Sequence, residues 1–88
     1  MPLYLRLILI TGPPGEFPAA ERAHVEEVEQ LRERGKLRGA GRLRRDEGFF
    51  EVIETADLHE AESLARANPL IAAGLASWIL RELDLFEC

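Results

Sequence analysis

One histidine lies where an amphipathic helix normally carries leucine. Residues 18–34 have the periodicity of a helix, and at about 100° per residue one stripe contains Ala20, His24, Val28 and Leu31. An imidazole in such a stripe needs a polar partner or a wet cavity, because an unpaired buried polar group costs about 1–3 kcal/mol. His24 is therefore either a core histidine with satisfied nitrogens or the general acid or base of a site.

The first predicted strand offers two further polar side chains. Tyr4 and Arg6 alternate onto the same face of this strand, where they could bind an anionic or phenolic group of a substrate. The alternative for Arg6 is an ion pair at an interface between two copies of the chain. The alternative for Tyr4 is packing in the core.

Metal and nucleotide chemistry are not indicated. His59 falls on the polar side of the second predicted helix, its spacing from His24 is not that of metal ligands, and no cluster of cysteine and histidine occurs. The segment Thr11-Gly12-Pro13-Pro14-Gly15 lacks the lysine and the spacing of a phosphate-binding loop. We therefore predict no metal and no cofactor.

The elements that must position these side chains follow the order βαββαβ. Strands are predicted at 3–11, 37–43, 49–55 and 75–86, and helices at 18–34 and 57–68. Asp57 and Glu60 form a capping box at the start of the second helix, and Pro69 ends it. A loop at 11–18, a hairpin at 44–48 and a turn at 69–74 connect the elements. The order predicts one ferredoxin-like α+β domain over residues 1–88, with a four-stranded antiparallel sheet and both helices on one face.

Both faces of this predicted sheet are apolar. In the first strand, one face carries Leu3, Leu5, Leu7 and Leu9, and the other carries Tyr4, Ile8 and Ile10 beside Arg6. Strands that are apolar on both sides are normally covered on both sides, and two helices on one face leave the second face open. We expect a homodimer with stacked sheets or a shared barrel to cover it.

Composition narrows the class of protein further. The chain has 88 residues, 47% of them hydrophobic, and its formal net charge of −5 argues against non-specific binding of nucleic acids. No stretch approaches the length of a membrane span, and the apolar N-terminal segment is too short for a signal sequence. Cys88 is the single cysteine, so we expect no intrachain disulfide and a cytoplasmic location. Abundant Arg and Glu with little Asn, Gln, Met or Cys is typical of proteins from hot environments, and a GC-rich genome would also favour Arg.

Three segments together resemble the YCII-related family. They are Ala23-His24 in the first helix, the run Gly35-Lys36-Leu37-Arg38-Gly39-Ala40-Gly41, and the run from Asn68-Pro69 to Gly74. The resemblance covers nearly the whole chain and implies a member of the dimeric α/β-barrel superfamily. Relatives in that superfamily act on small, often aromatic or enolisable compounds.

The resemblance also implies a pair of site residues. In the family, the helix histidine and an aspartate before the proline are read as a catalytic pair; they correspond to His24 and to Asn68, so the aspartate is replaced here. Asn68 can point inward near the buried face of its helix, and its carbonyl oxygen could orient the ring by accepting a hydrogen bond. It cannot supply negative charge. Ordinary turn chemistry is the alternative explanation for an asparagine before proline.

Two functions remain open. As an enzyme, the protein would use His24 to move a proton to or from a small organic substrate, in an isomerisation or an elimination. As a non-catalytic dimeric module, it would bind a small ligand or serve as a scaffold. The enzyme hypothesis predicts a cavity that solvent can reach, with a ring nitrogen of His24 in it and Asn68 within hydrogen-bond distance.

Overall fold

A computed structural model of the chain describes residues 1–12 and 17–86. The predicted loop after Thr11 falls mostly on residues 13–16, which lie outside the described residues. Cys88 lies outside them as well, so the expectation about its thiol remains a prediction.

The predicted βαββαβ order is confirmed. The elements are β1 (Leu3–Ile10), α1 (Pro18–Glu33), β2 (Leu37–Arg42), β3 (Gly48–Glu54), α2 (Leu58–Ala67), α3 (Pro69–Ala72) and β4 (Ala76–Leu83). The strands form one sheet in the order β2-β3-β1-β4, and every neighbouring pair is antiparallel. This is the ferredoxin-like α+β arrangement, with β1 in an interior position of the sheet.

Two connections differ from the sequence-based expectation. The predicted turn at 69–74 contains a short helix, α3, because Pro69 suits a first helical position and the Asn68 side chain caps the backbone N–H groups that follow. The hairpin at 44–48 contains a 3₁₀ turn over Arg44–Asp46. Gly48 then starts β3 where the chain passes so close to β1 that a Cβ would lie 1.8 Å from the Ile8 carbonyl oxygen.

The predicted capping box at the start of α2 is present in the structure. The Asp57 carboxylate accepts from the Glu60 backbone N–H at 2.8 Å, and the Glu60 carboxylate accepts from the Ala56 backbone N–H at 2.9 Å. That backbone hydrogen bond, together with the Lys36 ammonium, lowers the pKa of Glu60. The helix that starts here buries Ala61 and Ala65 against the sheet.

The core lies between the sheet and the helices and consists of two apolar clusters. One contains Tyr4, Leu31, Ile53 and Ala61, and the other contains Ile8, Phe49 and Leu70. Arg6 falls between Tyr4 and Ile8 on the same side of β1, so a charged residue separates the two clusters. Arg6 contacts both α1 and α2, which places both helices on this face.

The other face of the sheet carries apolar side chains without a covering layer from the described part of the chain. Its members are partly buried and include Leu3, Leu5, Leu7, Leu9, Phe50, Val52, Ile79 and Leu83. Cover by a second copy therefore remains a prediction. Among the described residues, no helix combines the length and the apolar character needed to cross a membrane.

Candidate active site

Arg6 is the cation of a polar cluster beneath the helices, whose other members are Glu27, Glu51, His24 and Asn68. Its guanidinium is fully buried and donates from Nε to Glu51 Oε1 at 2.7 Å, from Nη1 to Glu27 Oε2 at 3.0 Å and from Nη2 to Glu27 Oε1 at 2.8 Å. Nη1 also donates to the Leu64 carbonyl oxygen at 3.1 Å. Burial by itself lowers the pKa of Arg6, but the hydrogen bonds to Glu27 and the charges of both carboxylates outweigh burial and raise it. Arg6 is thus ion-paired beneath the helices of its own chain, not at an interface between copies.

His24 lies on the buried face of α1, with both ring nitrogens close to polar side chains. Nδ1 is 2.8 Å from Asn68 Nδ2, and Nε2 is 3.3 Å from Glu51 Oε2. The Phe49 ring packs against the imidazole, with 4.2 Å between the ring centroids. The polar partner that the sequence predicts for this histidine is therefore present: Asn68 lies at hydrogen-bond distance from Nδ1, and the Glu51 carboxylate lies near Nε2.

Asn68 combines the two roles that the sequence left as alternatives. Its Oδ1 accepts from the backbone N–H groups of Leu70 at 3.0 Å and Ile71 at 3.4 Å, so it caps α3. Its Nδ2 donates to Glu27 Oε1 at 2.8 Å and faces His24 Nδ1. The expectation that the carbonyl oxygen orients the imidazole is wrong, because α3 occupies that oxygen and the amide nitrogen faces the ring instead.

The charges of this cluster do not cancel. One cation, Arg6, lies among two carboxylates, Glu27 and Glu51, which leaves one negative charge in excess while His24 is neutral. Both oxygens of Glu27 accept from Arg6, and one of them accepts from Asn68 as well. Glu51 uses Oε1 for Arg6 and has only the longer contact with His24 at Oε2. The excess charge is therefore least compensated at Glu51 Oε2.

A pocket of about 180 Å³ adjoins this pair. It lies between α1, β2 and β3 and is lined by His24, Val25, Val28, Ala40, Gly41, Arg42, Phe49 and Glu51. Val25, Ala40 and Arg42 are exposed, so the pocket is open to solvent on that side. An apolar cavity of about 150 Å³ is large enough for benzene, so this pocket has room for one six-membered ring. The structure thus contains a pocket beside His24 that is open to solvent, with Asn68 within hydrogen-bond distance of the histidine.

Arg42 provides a cation at the mouth of the pocket. Its guanidinium carbon lies 4.8 Å from the centroid of the Phe49 ring, and Nη1 is 3.5 Å from the Asp46 carboxylate. The side chain is half-exposed, so its donors remain accessible to an anionic group that enters from solvent. The pocket therefore has apolar walls, an acidic inner end and a basic outer end.

The other sequence-based candidates lie away from this pocket. Tyr4 packs in the core against Leu31 and Ile53, and burial raises its pKa, with the charges of Glu82 and Asp57 adding to the effect. Arg6 lies behind Glu51 and is not among the residues that line the pocket. His59 is exposed on α2. Among the described residues, no group of three or more side chains has the arrangement of a metal site.

Glu27 and Glu51 were not predicted as site residues, although the sequence carries a signal for each. Glu51 falls between Phe49 and Ile53, and strict alternation along β3 places its carboxylate on the buried face. Glu27 follows His24 by three positions and so lies on the same side of α1. Acids at inward positions of α1 and β3, together with Arg6 at an inward position of β1, form a sequence pattern that indicates a buried ion-pair cluster.

Comparisons with known proteins agree with this architecture. The solved structure of 5-chloro-2-hydroxyhydroquinone dehydrochlorinase from Burkholderia phenoliruptrix, in complex with 2,5-dihydroxybenzoquinone, is similar with a TM-score of 0.76. The match covers 93% of this chain and 93% of that chain at 21% sequence identity, so it supports the fold alone. A search of curated proteins finds no match. The model of the YCII-related domain matches residues 7–84. The chain therefore belongs to the YCII-related family.

Proposed function

We propose that the protein is a small-molecule enzyme in which the His24–Glu51 pair moves a proton to or from a ring-shaped substrate. The observation that carries this proposal is the position of the pair: an imidazole nitrogen and a carboxylate oxygen, 3.3 Å apart, belong to residues that line a pocket whose other lining residues, apart from Arg42, are apolar. General acid–base catalysis by a positioned side chain contributes about 10²–10⁴-fold to a rate.

The two reactions expected from the sequence both begin with such a transfer. In an isomerisation, the pair removes a proton from one atom of the substrate and returns a proton to another. In an elimination, the pair removes a proton and the electrons left behind expel a leaving group as an anion. Neither reaction needs an oxidant or a second substrate, so the residues of this pocket can carry both.

Size and charge of the pocket support a single-ring substrate with an anionic or phenolic substituent. The walls formed by Val28 and Phe49 suit the faces of a planar ring, and Arg42 at the mouth suits a phenolate or a carboxylate. The protein with the similar fold is named for dehydrochlorination of a chlorinated hydroxyhydroquinone, and its structure holds a dihydroxybenzoquinone. Compounds of that class are the first substrates to test here.

The second candidate is a non-catalytic dimeric module that binds the same class of ligand or serves as a scaffold. One observation favours it: the His24 ring is 1% exposed, and both of its nitrogens already have protein partners. The two candidates differ in whether a bound ring compound turns over.

The test is a comparison of matched histidine variants. We expect the wild-type protein to convert a chlorinated hydroxyhydroquinone with release of chloride, and His24→Gln to lower kcat/KM by about 10²–10⁴-fold. His59→Gln, on the exposed side of α2, is the control and should retain wild-type kcat/KM. Binding of ring compounds by the wild type without turnover, unchanged in His24→Gln, would contradict the enzyme proposal and favour the binding module.

A further inference from the structure

We propose that Asn68 fixes His24 as the tautomer protonated at Nε2, so that Glu51, not His24, is the group that accepts a proton in the pocket. This inference rests on the proposed function, because it assigns the roles within the same pair. It reverses the role expected from the sequence, in which the histidine is the base and residue 68 only orients the ring.

The Asn68 amide has one allowed orientation. Oδ1 accepts from two backbone N–H groups of α3, and Nδ2 donates to the carboxylate of Glu27. A rotation of the amide by 180° would place the NH₂ group against the two N–H donors and the oxygen against the carboxylate. Both ends of the amide therefore oppose the rotation.

The orientation of this amide determines which nitrogen of the imidazole carries the proton. Nδ2 of Asn68 carries only hydrogens to donate, so at 2.8 Å the Nδ1 atom of His24 must be the nitrogen with the free lone pair. A neutral ring then carries its hydrogen on Nε2, the nitrogen that lies 3.3 Å from Glu51 Oε2. In this tautomer the nitrogen on the Glu51 side is already protonated and the other nitrogen is occupied. The ring can donate a hydrogen bond or a proton, and it has no vacant lone pair for a substrate proton.

The Glu51 carboxylate is then the group that can accept a proton from a substrate. Glu51 lines the pocket, and Arg6 Nε holds its Oε1 at 2.7 Å, which leaves Oε2 as the oxygen directed to His24. A carboxylate oxygen has two lone pairs, so Oε2 can accept from Nε2 and still take a proton from a substrate. When a substrate X–H bond breaks, Oε2 forms the new O–H bond and the electron pair stays on the substrate. The Nε2–H group then stabilises the negative charge on the substrate by a hydrogen bond.

The tautomer is measurable without any substrate. Long-range proton–nitrogen correlation spectra of protein with isotope-labelled histidine distinguish an Nδ1–H ring from an Nε2–H ring. We expect the wild-type His24 ring to be protonated at Nε2 only, and His59 serves as the exposed internal reference. A His24 ring protonated at Nδ1 in the wild type would overturn the inference.

A double substitution tests whether Asn68 sets the tautomer of His24. The double variant Glu27→Gln with Asn68→Asp keeps the net charge of the cluster and moves one carboxylate from position 27 to position 68. A carboxylate beside Nδ1 accepts a hydrogen bond, whereas the amide nitrogen donates one, so we expect the proton to appear on Nδ1 in this variant. An unchanged Nε2–H ring in a folded double variant would show that Asn68 does not set the tautomer.

The role of Glu51 as proton acceptor is tested by enzyme kinetics. With a substrate that the wild type converts, Glu51→Gln should lower kcat by at least about 10²-fold while the His24 ring remains protonated at Nε2. Unchanged kcat in this variant would overturn the role of Glu51. The two proposals fail differently: turnover with an Nδ1–H ring refutes this inference alone, whereas an Nε2–H ring in a protein that converts no ring compound refutes the proposed function.

Discussion

At the scale of single residues, Glu51 connects the charged core to the pocket. One of its oxygens accepts from Arg6 and the other faces His24, so the same carboxylate neutralises a buried cation and adjoins the candidate proton-transfer site. The sequence placed the doubt about catalysis at Asn68, which lacks the negative charge of an aspartate. The structure places the Glu51 carboxylate 3.3 Å from the opposite nitrogen of the ring.

Glu27 is the second carboxylate that compensates the buried charge of Arg6. Arg6 has 0% exposure, and removal of a partner from a buried ion pair costs about 3–5 kcal/mol because the remaining charge is left uncompensated. We expect Glu27→Ala to lower the free energy of unfolding by about 3 kcal/mol, the lower end of that range, since Glu51 still pairs with Arg6. Urea denaturation followed by circular dichroism measures the loss.

The control for this prediction is Glu29→Ala on the same helix. Glu29 is exposed and lies 3.6 Å from Arg32, and an exposed pair of this kind contributes at most about 1 kcal/mol. Equal losses in the two variants would show that the buried cluster is not held by its charges.

At the scale of elements, α3 decides how the site is arranged. Asn68 ends up with its oxygen on the N–H groups of this short helix, and that contact directs the amide nitrogen to His24. The sequence pattern predicts a turn at 69–74 without a helix, and therefore does not show that the backbone of α3 occupies the Asn68 carbonyl oxygen. A four-residue helix leaves too little periodicity in a sequence to be recognised, so the direction of the amide could not be predicted.

The capping box of α2 leads to a prediction about pH. The pKa of Glu60 is lowered in the folded chain, so its carboxylate stabilises the fold at pH values above the ordinary glutamate pKa of about 4.3. This contribution disappears as the pH falls through the lowered pKa, where Glu60 takes up a proton. We expect wild type to exceed Glu60→Gln in thermal stability at pH 7 and the difference to shrink below pH about 4.

Thermal unfolding of both proteins across this pH range is the measurement. A difference that stays constant from neutral to acidic pH would mean that the charge of Glu60 has no part in the cap. Lys36 contributes to the same effect at 3.1 Å, so Lys36→Met should weaken the pH dependence without abolishing it.

At the scale of the whole molecule, the alternation of apolar and polar residues predicted most of the architecture. The order of elements follows from the periods of all the predicted strands and helices, and period two along β1 places Tyr4, Arg6 and Ile8 on one face without showing that this face meets the helices. Alternation also shows which side chains share a face, but not which of them touch. The contact of Glu27 with both Arg6 and Asn68 joins three elements, and no local pattern contains that information.

The apolar outer face of the sheet is the reason to expect a homodimer, in which a second copy of the chain would cover it. Leu7 lies on that face, with Phe50 and Ile79 opposite it on the neighbouring strands. We expect sedimentation velocity at micromolar concentration to give twice the 9.9 kDa mass of one chain, and Leu7→Arg to give a single chain because a charge cannot be buried there unpaired. Leu58→Arg, exposed on α2, is the control and should remain a dimer. A wild-type mass of one chain would contradict the prediction.

The most direct test of the central claim is a crystal structure of the protein with 2,5-dihydroxybenzoquinone, the compound bound in the similar fold. We expect the ring between Val28 and Phe49, with one of its oxygens within about 2.6–3.2 Å of His24 Nε2 or Glu51 Oε2. A ligand bound elsewhere on the domain, with the pocket beside His24 empty at full ligand occupancy, would contradict the account.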